Sequence, residues 1–381
     1  ATMAVMKRIG TAVLGLAILV GSIGKISPHL FLSLPFPLSI ILWVSTGHDM
    51  PPFIINDAWK EDEIDTWMKD GDLVVATGVK SGTTFMLYCT HQIRTKGTDT
   101  NDDLFPDVSI STPWPDLRQS RAGSWSEQKD RYNTTIMSDG RQMKHFWDHP
   151  TYPFRIFKSH FAPPVLPVGK EGGKKIKYLV MVRNGIDVAA SMTPFYTMHK
   201  EKFRNLWGGY PPVIPEEAFD GDEPPAAVKD LLPGGILEHL YFGYVKKWWP
   251  YRNEPNVILM HYSDVRRDLR GHVAKIAKFL DVDLNEAELD TVTERCGIQH
   301  MKKVNKFNYK MPLNLDKGLW DADIDDIMVS GSMIRKGGVG TGGSIFSDKV
   351  FAQWKNAEED EFGNNPAMLK WAREGGEFPP S

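Results

Sequence analysis

The chain has 381 residues, 41% of them hydrophobic, which is ample material for the core of one large domain or two. A net charge of −3 provides no basic footprint and argues against a nucleic-acid partner. The only cysteines, Cys89 and Cys296, lie far apart in sequence, so no disulfide scaffold is expected and a reducing compartment is weakly favoured.

The N-terminus differs from the rest. After Lys7 and Arg8, residues 9–24 carry no charge, and after Lys25 the run 26–47 carries none apart from His29. The first run is short against the roughly 20 residues of a membrane span, and Pro28, Pro35 and Pro37 would bend or break a helix in the second. A signal peptide, a signal anchor and a membrane-associated hairpin compete. A secretory signal would have been removed, so the expectation is a retained anchor over residues 1–50, with membrane association through 9–47 in an organellar or a Golgi/ER membrane.

The first strand-like run is Leu73 to Thr77, and it empties into Val79-Lys80-Ser81-Gly82-Thr83-Thr84-Phe85. Such a turn offers backbone N–H groups, two threonine hydroxyls, an ammonium and the positive end of the next helix to one small anion. On its own it reads equally well as a polar turn. The nucleotide-triphosphatase loop needs lysine after its second glycine, and here lysine precedes the glycine, which disfavours a kinase. The insert from Lys96 to Lys144 is expected to help shape a pocket; its one glycosylation-type triplet, Asn133-Thr134-Thr135, is poor evidence of a site.

Next comes Phe154 to Lys158, a short strand-like run continued by Ser159 and His160 and broken at Pro163. Strand ends open into clefts, so Lys158 and His160, two apart, can point together toward a site. Ile176 to Val182 reads as a buried strand, followed by Arg183 and a helix carrying Ser191. Trp207 to Gly235, with six prolines, reads as a long irregular loop of the kind that forms lids or partner surfaces. Gly234 to Trp249 is expected to be an aromatic-rich helix, and Val257 to His261 a strand followed by Tyr262. Leu269 to Leu280 keeps one apolar helical face through Leu269, Val273, Ile276, Ala277 and Leu280. Ile334 to Gly340 places Arg335 and Lys336 before a glycine-rich loop that can close around a phosphate, beginning at Gly337. The stretch after Lys355, with Glu358 to Glu361, reads as a solvated terminal face. The alternation of strands and helices implies an α/β fold, a P-loop-like parallel sheet flanked by helices.

These segments, in this order, resemble the sulfotransferases, most closely the cytosolic class that takes a sulfuryl group from 3′-phosphoadenosine 5′-phosphosulfate (PAPS). Lys80 to Phe85 resembles that family's 5′-phosphosulfate loop, and Lys158-Ser159-His160 its catalytic lysine and histidine. Arg183 with Ser191 is similar to its 3′-phosphate motif, Arg335-Lys336-Gly337 to its C-terminal phosphate loop, Val257 to Asp264 to the strand whose tyrosine touches adenine, and Arg295 to Lys302 to a further nucleotide-side segment. The likeness runs from about Trp59 to Phe351. Phe85 stands where the family has tryptophan, Gly297 where a serine is common, and Gly340-Thr341-Gly342 where it has Gly-Asp-Trp, so packing and an anchor for that loop are expected to be lost.

The resemblance implies a division of labour. Sulfuryl transfer is largely positioning and charge stabilisation, so cations must flank the moving group. Lys80 is expected to stabilise the bridging oxygen to the departing 5′-phosphate, Lys158 to steady the sulfuryl oxygens, and His160 to act as general base on a hydroxyl or amine. Ser81, Gly82, Thr83 and Thr84 would cradle the 5′-phosphate, Phe85 and Tyr262 would contact adenine, and Arg183, Ser191, Arg335, Lys336 and Gly337 would read the 3′-phosphate. No metal is called for. The expected organisation is an anchor segment over 1–50, a sulfotransferase-like domain over 51–355 and a tail over 356–381. The acceptor could be a small molecule, a lipid or a glycan. The alternative is a non-catalytic member that retains the fold as a structural subunit of a membrane protein assembly.

Overall fold

The computed structural model describes residues 54, 56–99, 101, 103–117, 125–169, 173–206, 222–235, 237–312, 324–335 and 337–378. The N-terminal anchor expected over 1–50, and with it the tract 9–47, lies outside the described residues, as does Lys336. Among the described residues no helix is long and apolar enough to cross a membrane.

Four strands form the central sheet: β1 Leu73–Ala76, β2 Ile156–Ser159, β3 Lys177–Val182 and β4 Val257–His261, in the order β2-β1-β3-β4 and parallel throughout. Their near-continuous apolar runs are what a sheet covered on both faces requires, and β1, β2 and β4 are buried along their whole length. Two further strands, β5 Lys310–Pro312 and β6 Ile324–Asp326, pair antiparallel.

The order of strands positions the site. From β1 the chain crosses to β2 on one side, whereas β3 and β4 lie on the other, so the order reverses between β1 and β3. A crevice opens there at the carboxyl ends of the strands. The register sets Val75 opposite both Lys158 and Leu179, so the segments leaving β1, β2 and β3 emerge side by side on one edge.

Helix α1, Thr83–Arg94, follows the β1 loop, and every residue in it but Phe85 is buried. Helix α2, Gly185–Thr197, follows β3 and is capped by the Asn184 side chain accepting from the Asp187 N–H. Helix α3, Phe242–Trp248, packs Tyr244 beneath the sheet, its hydroxyl donating to the Ala76 carbonyl. Helices α4, Leu269–Phe279, and α5, Glu286–Cys296, follow β4. α5 packs against α1 and brings the Cys89 and Cys296 thiols into hydrogen-bond contact in the core, although they are far apart in sequence. Both remain free thiols.

Four details differ from the sequence reading. Ala226–Leu231 is helical within the stretch taken as irregular loop, because Ala227, Val228 and Leu231 bury an apolar face against α2. The helix expected over Gly234 to Trp249 is divided into a 3₁₀ turn, Glu238–Leu240, and α3. The tail boundary at 355/356 falls inside helix α6, Asp348–Phe362, which Ser347 caps and which is followed by α7, Pro366–Glu374. The acidic run is not a solvated face throughout: Glu358 is buried, accepting from Trp354 Nε1 at 2.9 Å and from Arg373 Nε at 2.7 Å. Asn184 Nδ2 donates to the Arg373 carbonyl at 2.9 Å, so α7 is tied to the start of α2.

Candidate active site

The crevice holds a cavity of about 350 Å³ that runs from the β1 loop to the end of α2. Of the residues singled out from sequence, Lys80, Gly82, Thr83, Thr84, Phe85, Lys158, His160, Arg183, Ser191, Tyr262, Arg335 and Gly337 all line it. Ser81 does not: it is buried, with Oγ donating to the Val79 carbonyl at 3.3 Å. Five lining side chains are basic (Lys80, Lys158, Arg183, Arg266 and Arg335), and no described lining residue is acidic.

One end of the cavity is built by backbone turns. Lys80 adopts φ of 53°, a left-handed conformation that costs a non-glycine residue energy and persists where surrounding contacts impose it. Gly82 has φ of 100° and caps α1; a Cβ there would lie 2.6 Å from Met181 Cε and 3.1 Å from the Tyr262 ring. On the opposite wall Gly337, with φ of 58°, leaves no room for a Cβ against Ile298. Arg183 ties the walls together, donating to the Lys80 carbonyl at 3.3 Å and the Gly338 carbonyl at 2.9 Å, with its guanidinium 4.8 Å from the Tyr262 ring centroid. Its buried Nε has no partner among the described residues, an unused donor beside the cavity.

The expected loss of an anchor at Gly340-Thr341-Gly342 does not occur. Asp187, in the first turn of α2, accepts from the Gly340 N–H and the Gly342 N–H, both at 2.8 Å, and from Thr341 Oγ1 at 3.2 Å. The same carboxylate lies 3.6 Å from Arg183. Arg295 also departs from expectation. It turns inward to Gln92 and the Asp99 carbonyl, whereas Ile298 and Met301 from that segment line the cavity.

The middle of the cavity carries two lysines without an ion-pair partner among the described residues. Lys80 Nζ sits 3.8 Å from the Phe195 ring centroid, and Lys158 Nζ lies 3.3 Å from Trp114 and 4.3 Å from Tyr309. These ring faces partly offset the cost of desolvating an ammonium. Removal from water, then the charges of Arg335 and Arg183, bring Lys80 down to about 7. Burial pushes Lys158 well below its ordinary value, with Lys80 adding to the effect and Asp116 opposing it.

His160 projects just beyond β2. Its Nδ1 lies 2.8 Å from the Thr77 carbonyl, which can only accept, so Nδ1 carries the proton and Nε2 presents its lone pair. Burial, then the charges of Lys158 and Lys80, hold the imidazole at about 3, so it is neutral at physiological pH. Asp116 fixes its backbone: this buried carboxylate accepts from the His160 N–H at 2.8 Å, Ser159 Oγ at 2.9 Å and Trp59 Nε1 at 2.7 Å. Burial raises the Asp116 carboxyl to about 6 against those hydrogen bonds.

Thr83 Oγ1 meets Thr77 Oγ1 at 2.5 Å, and Thr84 Oγ1 meets the Tyr309 hydroxyl at 2.9 Å. Tyr309 is held by Asp107, which accepts from the Asn308 and Lys310 N–H groups on either side.

The far end is apolar, lined by Met192, Phe195, Met198, Leu240, Met328 and Met333 among others. Reading the sequence missed Trp114, Asp116, Asp187, Phe195, His199 and Tyr309. Asp187, a lone acid in an otherwise apolar helix start, was the one with a usable local signal; the others become neighbours only through the fold.

Strand order and site together define an α/β protein whose switch-point crevice is built to receive an anion. The sulfotransferase domain profile matches residues 70–350, and the chain belongs to that family. Amine sulfotransferase of Oryctolagus cuniculus is 27% identical over 57% of this chain and 64% of its own length, so the match spans just under two thirds of that relative. Sulfotransferase 2A6 of Mus musculus is 25% identical over 80% of this chain and 89% of its own, and sulfotransferase 1E1 of Homo sapiens is 26% identical over 62% and 68%. The crystal structure of mouse sulfotransferase SULT7A1 complexed with PAP shares the fold, with a TM-score of 0.52 over 83% of this chain and 95% of that one at 19% identity.

Proposed function

We propose that the protein transfers a sulfuryl group from PAPS to a hydroxyl or amine on a small, largely apolar acceptor. The observation that carries this reading is one cavity with five basic side chains and no acid among its described lining, grading into an apolar wall, with a neutral histidine beside the lysines. The residues fit the nucleotide. Lys80, Gly82, Thr83 and Thr84 would hold its 5′ end, and Arg183 (which has a spare Nε donor), Ser191, Arg335 and Gly337 its 3′-phosphate, with Phe85 and Tyr262 against the base. The presence of PAP in the mouse SULT7A1 structure is in keeping with this assignment.

PAPS supplies an activated sulfuryl group when bound. The chain's own groups then have defined tasks. His160 Nε2 takes the proton of the acceptor hydroxyl or amine as its oxygen or nitrogen bonds to sulfur. The bond from sulfur to the 5′-phosphate oxygen breaks, and Lys80 stabilises the charge that oxygen gains. Lys158, held between Trp114 and Tyr309, stabilises the sulfuryl oxygens. An imidazole held at about 3, first by burial and then by the charges of Lys158 and Lys80, is a weak base; a bound polyanion would offset the lysine charges and so raise it.

The structural-subunit alternative draws no support from the altered 340–342 turn, because Asp187 holds that turn in place. The acceptor classes remain those of the apolar wall: small lipophilic alcohols, phenols or amines fit it, and a glycan fits it poorly. Association with a membrane through residues 9–47 is part of the proposal and rests on sequence alone. The test is transfer of labelled sulfate from PAPS to 1-naphthol. His160→Ala is expected to lower kcat by about a hundredfold or more with PAP affinity kept. A near-wild-type rate removes His160 as base, and no transfer by the wild type over a wide acceptor panel removes the reaction.

A further inference from the structure

We infer that His199 is a second reader of the acceptor: its Nε2 lone pair, on the apolar side of the cavity, selects acceptors that carry a hydroxyl or N–H donor besides the group to be sulfated. The inference rests on the sulfotransferase reading and narrows its substrate class.

The argument begins with the tautomer. His199 Nδ1 lies 2.8 Å from the Phe195 carbonyl, one helical turn earlier, and a carbonyl can only accept, so the proton is on Nδ1 and Nε2 is an acceptor. The neighbouring Tyr196 carbonyl also accepts from the ring, and no hydrogen bond of Nε2 is seen among the described residues, although the side chain is buried and lines the cavity. The ring cannot readily turn away. It stacks on Phe203 at 5.3 Å and 21°, and meets the edge of Phe195 at 4.6 Å and 80°. Its backbone is fixed as well: His199 bridges Met328, while Lys200 N–H donates to the Ile327 carbonyl and Val329 N–H to the Met198 carbonyl, both at 2.8 Å.

Chemistry follows from placement. Phe195 separates this imidazole from the Lys80 ammonium by a single ring, so a compact acceptor could present one hydroxyl to His160 and another donor to His199. Removal from water, with Lys80 nearby, keeps His199 at about 3, so the lone pair is present throughout the physiological range. In a cavity lined by several methionines, the Nε2 lone pair is left without a hydrogen bond when a purely apolar substrate fills the pocket. It makes that bond when the acceptor carries a second donor, and sites of this kind discriminate by the missing group.

The test compares acceptor affinities by calorimetry on the purified protein with and without saturating PAP. The probes are 1-naphthol, 2-naphthol and the 1,5-, 2,6- and 2,7-dihydroxynaphthalenes. Wild type is expected to bind at least one diol about five- to twentyfold more tightly than its matching naphthol. His199→Phe, which keeps the stack on Phe203, is expected to close that gap while naphthol affinity stays within about twofold. His199→Gln, with an acceptor oxygen near the place of Nε2, is expected to restore part of it. Equal affinity for diols and naphthols in wild type overturns the inference, as does an equal loss of both in His199→Phe. Should His199→Phe melt early, the wild-type gap and the glutamine variant decide. Because the readout is binding, it stands whether or not sulfate transfer is observed, and failure of transfer counts against the reaction alone.

Discussion

The two ends of the cavity are made in different ways. The end proposed to hold the nucleotide is assembled from short turns: Lys80 to Phe85 leaving β1, Arg183 leaving β3, and Arg335, Gly337 and Gly338, with Arg183 bonded to the Lys80 and Gly338 carbonyls. The end proposed to hold the acceptor is assembled from single residues scattered along the chain, such as Trp114, His199, Tyr309 and Met328. An anion is bound mainly by backbone N–H groups and fixed charges, which a local turn can supply, whereas an apolar wall needs only the right surface from whatever element passes by. The two ends should therefore fail independently when perturbed, and three experiments put pressure on that independence.

The largest separation is expected from Arg183→Ala. Its guanidinium bridges two backbone turns and keeps one donor spare. Losing charge-assisted bonds of this kind should weaken PAP binding about a hundredfold, equivalent to about 3 kcal/mol. Naphthol binding to the nucleotide-free protein should change by less than about twofold, as expected for a distant, independent site. A matching loss of acceptor affinity in calorimetry would show the ends to be one coupled unit.

That contrast also explains what could be read without a structure. The parallel sheet was legible because β1, β3 and β4 are unbroken apolar runs bounded by polar turns. Groups that follow one another in short motifs were legible as members of one crevice, and twelve of the predicted residues line the cavity. Trp114 and Tyr309 were not legible, because nothing in Pro113-Trp114-Pro115 or around Tyr309 states that both rings will flank Lys158. The pairing of Cys89 with Cys296 was hidden for the same reason: it depends on α5 packing against α1. Glu358 was misread because an acid is usually solvated, and only the arrival of Arg373 and Trp354 makes its burial tolerable.

A smaller effect is expected from pH, and it too should be confined to one end. Lys80 is held at about 7 by loss of water and by Arg335 and Arg183, so it is cationic below that pH and neutral above it. An anion prefers the cationic form. PAP affinity should accordingly be greatest below pH 7 and fall by about tenfold between pH 7 and 8.5, while binding itself raises the lysine. Titration calorimetry across that range, repeated with Lys80→Met, tests the assignment: the variant should bind weakly with a nearly flat profile. His160 and His199, both held at about 3, contribute no slope there in the free protein, so naphthol affinity should not follow the nucleotide curve.

The smallest effect distinguishes charge from scaffolding within the nucleotide end. Asp187 accepts three hydrogen bonds from residues 340–342 and faces Arg183, but it does not line the cavity. Asp187→Asn keeps the shape and one carbonyl oxygen, while placing an NH₂ donor against one of the two backbone N–H groups. The turn should loosen without disturbing Lys80 or Lys158, lowering PAP affinity about fivefold, the loss of one hydrogen bond. Acceptor affinity and the rate at saturating PAPS should remain close to wild type. If PAP affinity is unchanged, the turn at 340–342 is held by packing, and the carboxylate serves only Arg183. If the saturated rate falls as well, Asp187 acts on the lysines through Arg183, and the two halves of the site are less separate than their construction implies.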